Sequence, residues 1–215
     1  MPSPKALPRE VRIIGGQWKR TKLPVADRPG LRPTPDRVRE TLFNWLGQDL
    51  AGWRCMDAFA GSGALGLEAA SRGAAQVLLV EQDPALVSQL RELQQKLCAH
   101  MVTIQRANGL SVLKQLTPAS MDLVFLDPPF DSKLHETALK AAAPALSAEG
   151  WIYLEAPDAW DDARLAPFGL ALQKHLRAGA VHAHLLAHAP VHAHSLVRGP
   201  AAAHSLVRDP AAAGP

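Results

Sequence analysis

The segment 55–70 constrains the fold most, because it combines an apolar strand, a glycine turn and a helix. The apolar lead-in ends at Asp57, the turn is Gly61-Ser62-Gly63, and small and apolar residues then recur at helical spacing. Glycines bring the backbone close to a ligand, and the helix N-terminus directs N–H groups towards it. Glu81 follows at the distance where a ribose-binding acid is expected. The segment therefore predicts a nucleotide-like cofactor without choosing which one.

Composition indicates a single domain of ordinary size. The 215 residues are enough to bury a core. We find no cleavable leader and no apolar run of the roughly 18 residues that a membrane helix needs. We therefore expect a cytoplasmic protein without membrane association. Cys55 and Cys98 lack metal-ligand spacing and are expected to be reduced core thiols.

Positive charge is concentrated at the front of the chain. The first 40 residues contain ten Lys/Arg and four Asp/Glu, whereas the remainder contains thirteen and sixteen. Such clustering is typical of a surface that binds a polyanion such as nucleic acid, and the alternative is a solvated basic segment.

A hairpin and a helix are predicted within this basic region. The pair Gly15-Gly16 lies inside a loosely alternating segment, which is a hairpin pattern. Thr34 or Asp36 is expected to cap the helix that follows. Trp18 either stacks on a base or anchors the hairpin. The residues expected to contact nucleic acid are Arg12, Trp18, Lys19, Arg20, Lys22, Arg37 and Arg39.

From residue 51 onward, strand-like and helix-like segments alternate. Strands are predicted over 74–80, 102–105, 121–126 and 150–154, helices over 84–98, 110–116 and 134–146, and a closing hairpin around 178–179. This order predicts a doubly wound α/β sheet, Rossmann-like, that binds ligands beyond the carboxyl ends of its strands. Five polar residues are predicted at those ends: Asp57, Glu81, Asn108, Asp127 and Glu155.

The tetrapeptide Asp127-Pro128-Pro129-Phe130 follows a predicted strand and narrows the chemistry. Its prolines stiffen the backbone and have no N–H to donate, so they present bare carbonyls. A carboxylate and a carbonyl can accept both hydrogens of one amine, and Phe130 offers a ring face for stacking. This suits the exocyclic amine of a nucleobase, because two hydrogen bonds help to localise its lone pair towards an electrophile. The alternative is a proline-rich turn.

These motifs resemble those of S-adenosylmethionine-dependent methyltransferases that modify exocyclic amines of bases. The segments R-I-I-G-G-Q-W-K-R and L-R-P-T-P-D-R-V-R-E-T-L-F-N-W-L are similar to one branch, the RsmD family, which methylates N2 of a guanine in small-subunit ribosomal RNA. The resemblance covers residues 11–187. It implies S-adenosylmethionine as cofactor, 16S ribosomal RNA or a small-subunit assembly particle as partner, and guanine-966 as the target. A monomer without a metal is expected.

The resemblance also implies roles for individual residues. The glycine turn, with Asp57 beneath it, would hold the methionine part of the cofactor, Glu81 would accept both ribose hydroxyls, and Asn108 would meet the adenine edge. Asp127 and the Pro128 carbonyl would hold the guanine amine for an in-line displacement. The implied sets are Asp57, Phe59, Gly61, Ser62, Gly63, Glu81, Gln82, Asn108 and Gly109 for the cofactor, and Asp127, Pro128, Pro129 and Phe130 for catalysis.

Three other functions stay open. An NAD-dependent oxidoreductase could use the same glycine turn, but that function would not explain the Asp127-Pro128-Pro129-Phe130 tetrapeptide or the positive charge of the first 40 residues. A methyltransferase acting on DNA or another RNA, at adenine N6 or cytosine N4, shares the chemistry, and only the amino-terminal segment favours structured RNA. A nucleic-acid-binding module without catalysis is opposed by the intact Asp57, Glu81 and Asp127.

Four regions are predicted: a disordered end over 1–10, a basic hairpin and helix over 11–50 forming an RNA-binding arm, a methyltransferase domain over 51–188, and a low-complexity tail over 189–215. The tail contains a ten-residue repeat, HSLVRGPAAA then HSLVRDPAAA. No metal site is expected at the late histidines, since no Asp, Glu or Cys accompanies His182, His184, His188, His192 and His194.

Overall fold

The structure, a computed structural model, describes residues 10–26, 34–129 and 134–190. Its strands are β1 (Glu10–Arg12), β2 (Lys22–Pro24), β3 (Arg54–Asp57), β4 (Gln76–Glu81), β5 (Val102–Arg106), β6 (Met121–Leu126), β7 (Leu146–Ala156), β8 (Leu170–Ala178) and β9 (Val181–His188). Its helices are α1 (Asp36–Trp45), α2 (Ala64–Ser71), α3 (Pro84–Lys96), α4 (Gly109–Leu113), α5 (His135–Ala142) and α6 (Asp162–Leu165), with 3₁₀ turns at Ala143–Ala145 and Ala166–Phe168.

Seven strands form one sheet in the order β5-β4-β3-β6-β7-β9-β8. The strands from β5 to β7 run parallel, and β9 and β8 add an antiparallel edge that closes as the predicted hairpin. The predicted doubly wound, Rossmann-like α/β fold is confirmed. The strand order reverses between β3 and β6, and such a switch point is where open α/β sheets bind ligands, outside the carboxyl ends of the strands.

The sheet is buried on both faces, because apolar residues of its central strands alternate between two hydrophobic clusters. In β6, Leu123 and Phe125 belong to one cluster, whereas Val124 and Leu126 belong to the other. Successive strand side chains point to opposite faces, so helices must cover both. Packing on both faces thereby fixes the positions of the central strands, and the residues at their carboxyl ends are held in a defined arrangement.

The amino-terminal hairpin and α1 share this core. Strands β1 and β2 pair antiparallel, with Val11 opposite Leu23. Both residues are buried in the same cluster as Leu42 of α1 and Leu79 of β4. The region predicted as an arm is therefore packed against the sheet.

The predicted capping of α1 is wrong. Pro35 occupies the N-cap position, and no side chain caps the helix. The hydroxyl of Thr34 instead donates to Glu155 at 2.6 Å, and the carboxylate of Asp36 accepts from two arginine side chains. Both candidate caps have other hydrogen-bond partners in the folded chain.

Some other expectations change. The predicted helix over 134–146 ends at Ala142 and continues as a 3₁₀ turn, and β7 already begins at Leu146. Cys55 is buried as predicted, whereas Cys98 is exposed just after α3 and is not a core thiol. Among the helices in the described ranges, none is long and apolar enough to cross a membrane. The expectations for residues 1–9 and for the tail beyond 190 lie outside the described residues.

Candidate active site

The predicted glycine turn lies at the carboxyl end of β3, beside the switch point. Gly63 is the N-cap of α2 with φ of 79°, a left-handed conformation that favours glycine. Asp57, the last residue of β3, accepts hydrogen bonds from the N–H groups of Phe59 and Gly66, each at 3.3 Å. One buried carboxylate thus ties the turn to the helix that follows it.

The pKa of the Asp57 carboxyl group is raised above its usual value. The residue is only 1% exposed, and burial raises its pKa to about 7 despite the two backbone donors that favour the carboxylate. It therefore changes charge near neutral pH. A cation bound nearby would shift this equilibrium towards the ionised form.

Glu81, the last residue of β4, joins the turn to the loop before α3. Its Oε2 accepts from Gly61 N–H at 2.9 Å, and its Oε1 accepts from the N–H groups of Gln82 and Asp83, each at 2.8 Å. A carboxylate has about four acceptor positions, so about one stays open on Oε2. A ligand with two hydroxyls would have to share Oε2 or displace a backbone donor.

Asn108 and Gly109 bring α4 to the same edge of the sheet. The side chain of Asn108 caps α4 by accepting from Ser111 N–H at 3.1 Å. A Cβ on Gly109 would collide with the carbonyl oxygen of Ala58, so the start of α4 lies directly against the turn after β3. The predicted cofactor residues from β3, β4 and the β5–α4 loop therefore converge.

Asp127 follows β6 directly, on the other side of the switch point. Within the described ranges, no hydrogen bond or ion pair reaches its carboxylate. Burial raises its pKa well above the usual value, and the negative charges of Glu155 and Asp57 add to the shift. An unpaired carboxylate of this kind can accept hydrogen bonds from an amine and can take up a proton. Of the other tetrapeptide residues, Pro128 is buried and Pro129 exposed, and Phe130 lies outside the described residues.

Part of the predicted RNA-binding set lies at the start of α1. The Arg12 guanidinium is 2.9 Å from Asp36, and Lys22, its register partner in the hairpin, pairs with Glu10. Arg37 is exposed in the first turn of α1. Because the hydroxyl of Thr34, just before α1, reaches Glu155 at the end of β7, this group borders the site.

A second part of the set lies at the far end of α2. The N–H of Trp18 donates to Ser71 Oγ, and Ser71 is the last residue of α2. An eight-residue helix is about 12 Å long, which separates this loop from the glycine turn. Lys19 and Arg20 are exposed there, and a cavity of about 450 Å³ between the loop and α1 is lined by Lys19 and Arg72. Trp18 packs against the core, which favours anchoring over base stacking.

Arg39, unlike the other cations predicted to bind RNA, is not exposed. Its side chain is fully buried, with Nη1 3.3 Å from Glu68 and Nη2 2.7 Å from Asp36. The prediction that Arg39 contacts RNA is wrong, because a buried, paired guanidinium cannot reach a phosphate. Sequence reasoning missed Glu68, although a lone acid in the otherwise apolar α2 is the signal that could have found it.

A histidine cluster forms on the edge hairpin. His175, His182 and His184 have potential ligand atoms within 4.8 Å of one another. The ring of His184, however, accepts from Trp160 N–H at 3.0 Å and donates to the Leu154 carbonyl at 3.2 Å, and burial lowers its pKa to about 4. Its two nitrogens are already used in holding β9 to its neighbours, so the cluster offers at most two ring nitrogens for a ligand.

Fold and site together define the class of Rossmann-like methyltransferase folds, with a glycine turn and acidic strand ends at one edge of the sheet. Residues 11–187 match the family described as Conserved hypothetical protein 95. The chain belongs to that family, the RsmD family, and the resemblance found in the sequence is confirmed.

Several known proteins are similar to this chain. Ribosomal RNA small subunit methyltransferase D of Escherichia coli (strain K12) is 49% identical over 148 residues, which cover 68% of this chain and 72% of the relative. The protein of the same name from Haemophilus influenzae is 40% identical over 181 residues, covering 82% and 93%. The solved structure of "Putative methyltransferase yhhF" from Escherichia coli has a TM-score of 0.71 at 38% identity, covering 83% of this chain and 98% of that one.

Proposed function

We propose that this protein transfers a methyl group from S-adenosylmethionine to the exocyclic N2 amine of a guanine in 16S ribosomal RNA. One observation carries the proposal: the carboxylate of Asp127, which has no hydrogen-bond or ion-pair partner among the described residues, lies just after β6, the strand next to β3 and its glycine turn. An acceptor for an amine is thus adjacent to the turn that would hold the methyl donor. The names of the relatives, ribosomal RNA small subunit methyltransferases, support ribosomal RNA as the substrate.

S-adenosylmethionine fits the residues present. The turn after β3 would receive the methionine part, with Asp57 beneath it as counter-charge, and the open acceptor position on Glu81 would take a ribose hydroxyl. Asn108, the N-cap of α4 at the same edge of the sheet, would meet the adenine ring. When bound, the cofactor supplies an electrophilic methyl group on a sulfonium.

The protein contributes alignment and a proton acceptor. Asp127 and the Pro128 carbonyl would each accept one N–H of the guanine amine and hold its lone pair in line with the methyl group. Formation of the N–C bond, with cleavage of the S–C bond and release of a neutral thioether, would leave the nitrogen positively charged, and it would have to lose a proton. The raised pKa of Asp127 suits this carboxylate to accept it. No covalent nucleophile is needed, and burial raises the pKa of the Cys55 thiol to about 12.

Exposed cations would bind the RNA backbone. Arg12, Lys22 and Arg37 border the site, and Lys19 and Arg20 lie on the loop at the far end of α2. Two separated groups suit a folded RNA that contacts the protein on either side of the target base. We expect the protein to act in the cytoplasm as a monomer, on 16S ribosomal RNA or on a small-subunit assembly particle.

The experiment that tests the proposal is transfer of labelled methyl from S-adenosylmethionine to 16S ribosomal RNA, and to small-subunit particles, from cells that lack the modification. Nucleoside analysis should find the label in N2-methylguanosine. Label in N6-methyladenosine, in N4-methylcytidine or on DNA would support methyl transfer but contradict the assignment of guanine in 16S ribosomal RNA as the substrate. Absence of transfer to any nucleic acid, with the cofactor bound, would contradict the proposal that the protein is a nucleic-acid methyltransferase.

A further inference from the structure

Glu155 lies beside Asp127 at the carboxyl edge of the sheet, and the proposed transfer gives it no role. Strands β6 and β7 are parallel neighbours in which Leu126 is the register partner of Leu154. The next residues of the two chains are Asp127 and Glu155. The backbones at these two residues therefore lie about one strand spacing apart, about 4.8 Å, and the charge of Glu155 acts on Asp127. Burial raises the pKa of both groups, as expected for acids that share one site.

Two hydroxyls fix the orientation of Glu155. Thr34 Oγ1 donates to Glu155 Oε1 at 2.6 Å, and Tyr153 OH donates to the same oxygen at 2.8 Å. Glu155 is only 3% exposed, and both hydroxyl-bearing residues are buried. In the part of the chain that the structure describes, no hydrogen bond occupies Oε2. The carboxylate is thus held by one oxygen while the other is left for a further donor.

Guanine differs from the other amine-bearing bases in the group next to its amine. Its N2 amine has N1–H, a donor, on one side and N3, an acceptor, on the other. The amines of adenine and cytosine have no ring N–H beside them, only a ring nitrogen with a lone pair, an acceptor. A carboxylate gains a hydrogen bond from the first arrangement and is repelled by the second. Two adjacent carboxylates therefore match the two adjacent donors of guanine.

We propose that Glu155 accepts a hydrogen bond from N1–H of the target guanine through Oε2, while Asp127 holds the N2 amine. This inference rests on the proposed function and deepens it, because it makes Glu155 the residue that excludes adenine and cytosine. The hydroxyls of Thr34 and Tyr153 keep the carboxylate from turning away when the wrong base enters. A polar site built in this way discriminates strongly, since a mismatched base leaves a buried polar group unpaired.

The test uses 16S ribosomal RNA with 2-aminopurine at the methylated position. This base keeps the amine but has an acceptor at N1, so the wild-type protein should methylate the guanine RNA with kcat/KM at least about 100-fold higher. Glu155→Gln keeps an oxygen for the two hydroxyls and offers an NH₂ group to the ring acceptor, and the discrimination should fall at least tenfold, on the order of one lost hydrogen bond. Glu149→Gln, exposed on the same strand, is the matched control and should keep the wild-type ratio.

A ratio measured on one preparation is insensitive to partial loss of folded protein. If Glu155→Gln fails to fold, Tyr153→Phe removes one orienting hydroxyl without changing the charge and should also lower the discrimination. Equal rates of the wild-type protein on the two RNAs, or a wild-type ratio in both variants, would overturn the inference and leave guanine methylation intact. Failure of the proposed function is distinct, because unmodified RNA would then yield no N2-methylguanosine with the wild-type protein.

Discussion

Arg39 and Glu68 form an ion pair in the core, with Nη1 and Oε2 3.3 Å apart and neither side chain exposed. The same carboxylate accepts hydrogen bonds from the N–H groups of Ile14 and Gly15 and from Arg72 Nε. The amino-terminal hairpin, α1 and α2 are thus joined through one buried acid. Because α2 begins at the glycine turn, this junction connects the loop that carries Lys19 and Arg20 with that turn.

Replacing Arg39 should destabilise the fold. In Arg39→Met, Glu68 and Asp36 lose a buried cationic partner, and the free energy of unfolding should fall by about 3–5 kcal/mol. Arg37→Met, an exposed position in the same helix, should change it by less than about 0.5 kcal/mol. Urea unfolding of both variants is the measurement. Equal stability of the two variants would contradict the assigned role of the pair.

Glu81 should govern cofactor affinity. Glu81→Gln keeps the shape of the side chain but removes the negative charge of the group that accepts from Gly61 N–H and, in the proposed complex, from the ribose. Hydrogen bonds to a charged group contribute about 1.5–3 kcal/mol, so calorimetry should find S-adenosylmethionine bound about 10- to 100-fold more weakly. Glu92→Gln, exposed on α3, serves as the control and should bind as the wild type does. Unchanged affinity in Glu81→Gln would remove Glu81 from the site.

Asp57 should make cofactor binding depend on pH. Its folded pKa, about 7, is above the unfolded value of 3.8, so its contribution to stability is fully present below pH 3.8 and is lost as pH rises through about 7. A cationic cofactor favours the ionised form, so affinity should rise between about pH 6 and pH 8. Calorimetry across this range should find the rise in the wild type and a flatter profile in Asp57→Asn. Parallel profiles would assign the dependence to another group.

Lys19 and Arg20 should bind RNA by contacting its backbone phosphates and not its bases. Each lost phosphate contact lowers the slope of log affinity against log salt by about 0.7–0.9. Replacing both residues with Ala should therefore weaken binding of 16S ribosomal RNA and reduce the slope by about 1–2. Arg91→Ala with Lys96→Ala, on the exposed side of α3, is the matched control. If affinity and slope stayed at wild-type values, the loop would not be part of the RNA interface.

The strand ends were predictable from sequence because parallel strands share one edge. Asp57, Glu81 and Asp127 each follow or end an apolar run, and Asn108 follows the short predicted strand over 102–105. A doubly wound sheet brings such positions together whatever the loops do. The glycine turn was also predictable, because Gly63 adopts a positive φ that glycine reaches without strain, whatever its distant neighbours are.

The errors concern side chains whose partners are distant in sequence. Threonine is a residue type that commonly caps helices, yet the hydroxyl of Thr34 donates to Glu155, 121 positions away. Arg39 reads as a surface cation, yet Glu68 from α2 draws it into the core. Helical spacing places Arg39 three residues before Leu42, on the apolar side of α1, and Arg37 on the polar side. The partner that allows an arginine on the apolar side, Glu68, is identified only by the packing of the two helices.

Asp127 is the residue on which the proposed methyl transfer depends most, because its carboxylate would hold the amine that receives the methyl group. The measurement is the single-turnover rate of methyl transfer to 16S ribosomal RNA by wild-type protein and Asp127→Ala, both saturated with S-adenosylmethionine. For Asp127→Ala we expect unchanged cofactor affinity and a rate lower by at least about 100-fold, the lower end of what a positioned proton acceptor contributes. A rate within a few-fold of wild type would mean that another group holds the amine, and would contradict the proposed role of Asp127.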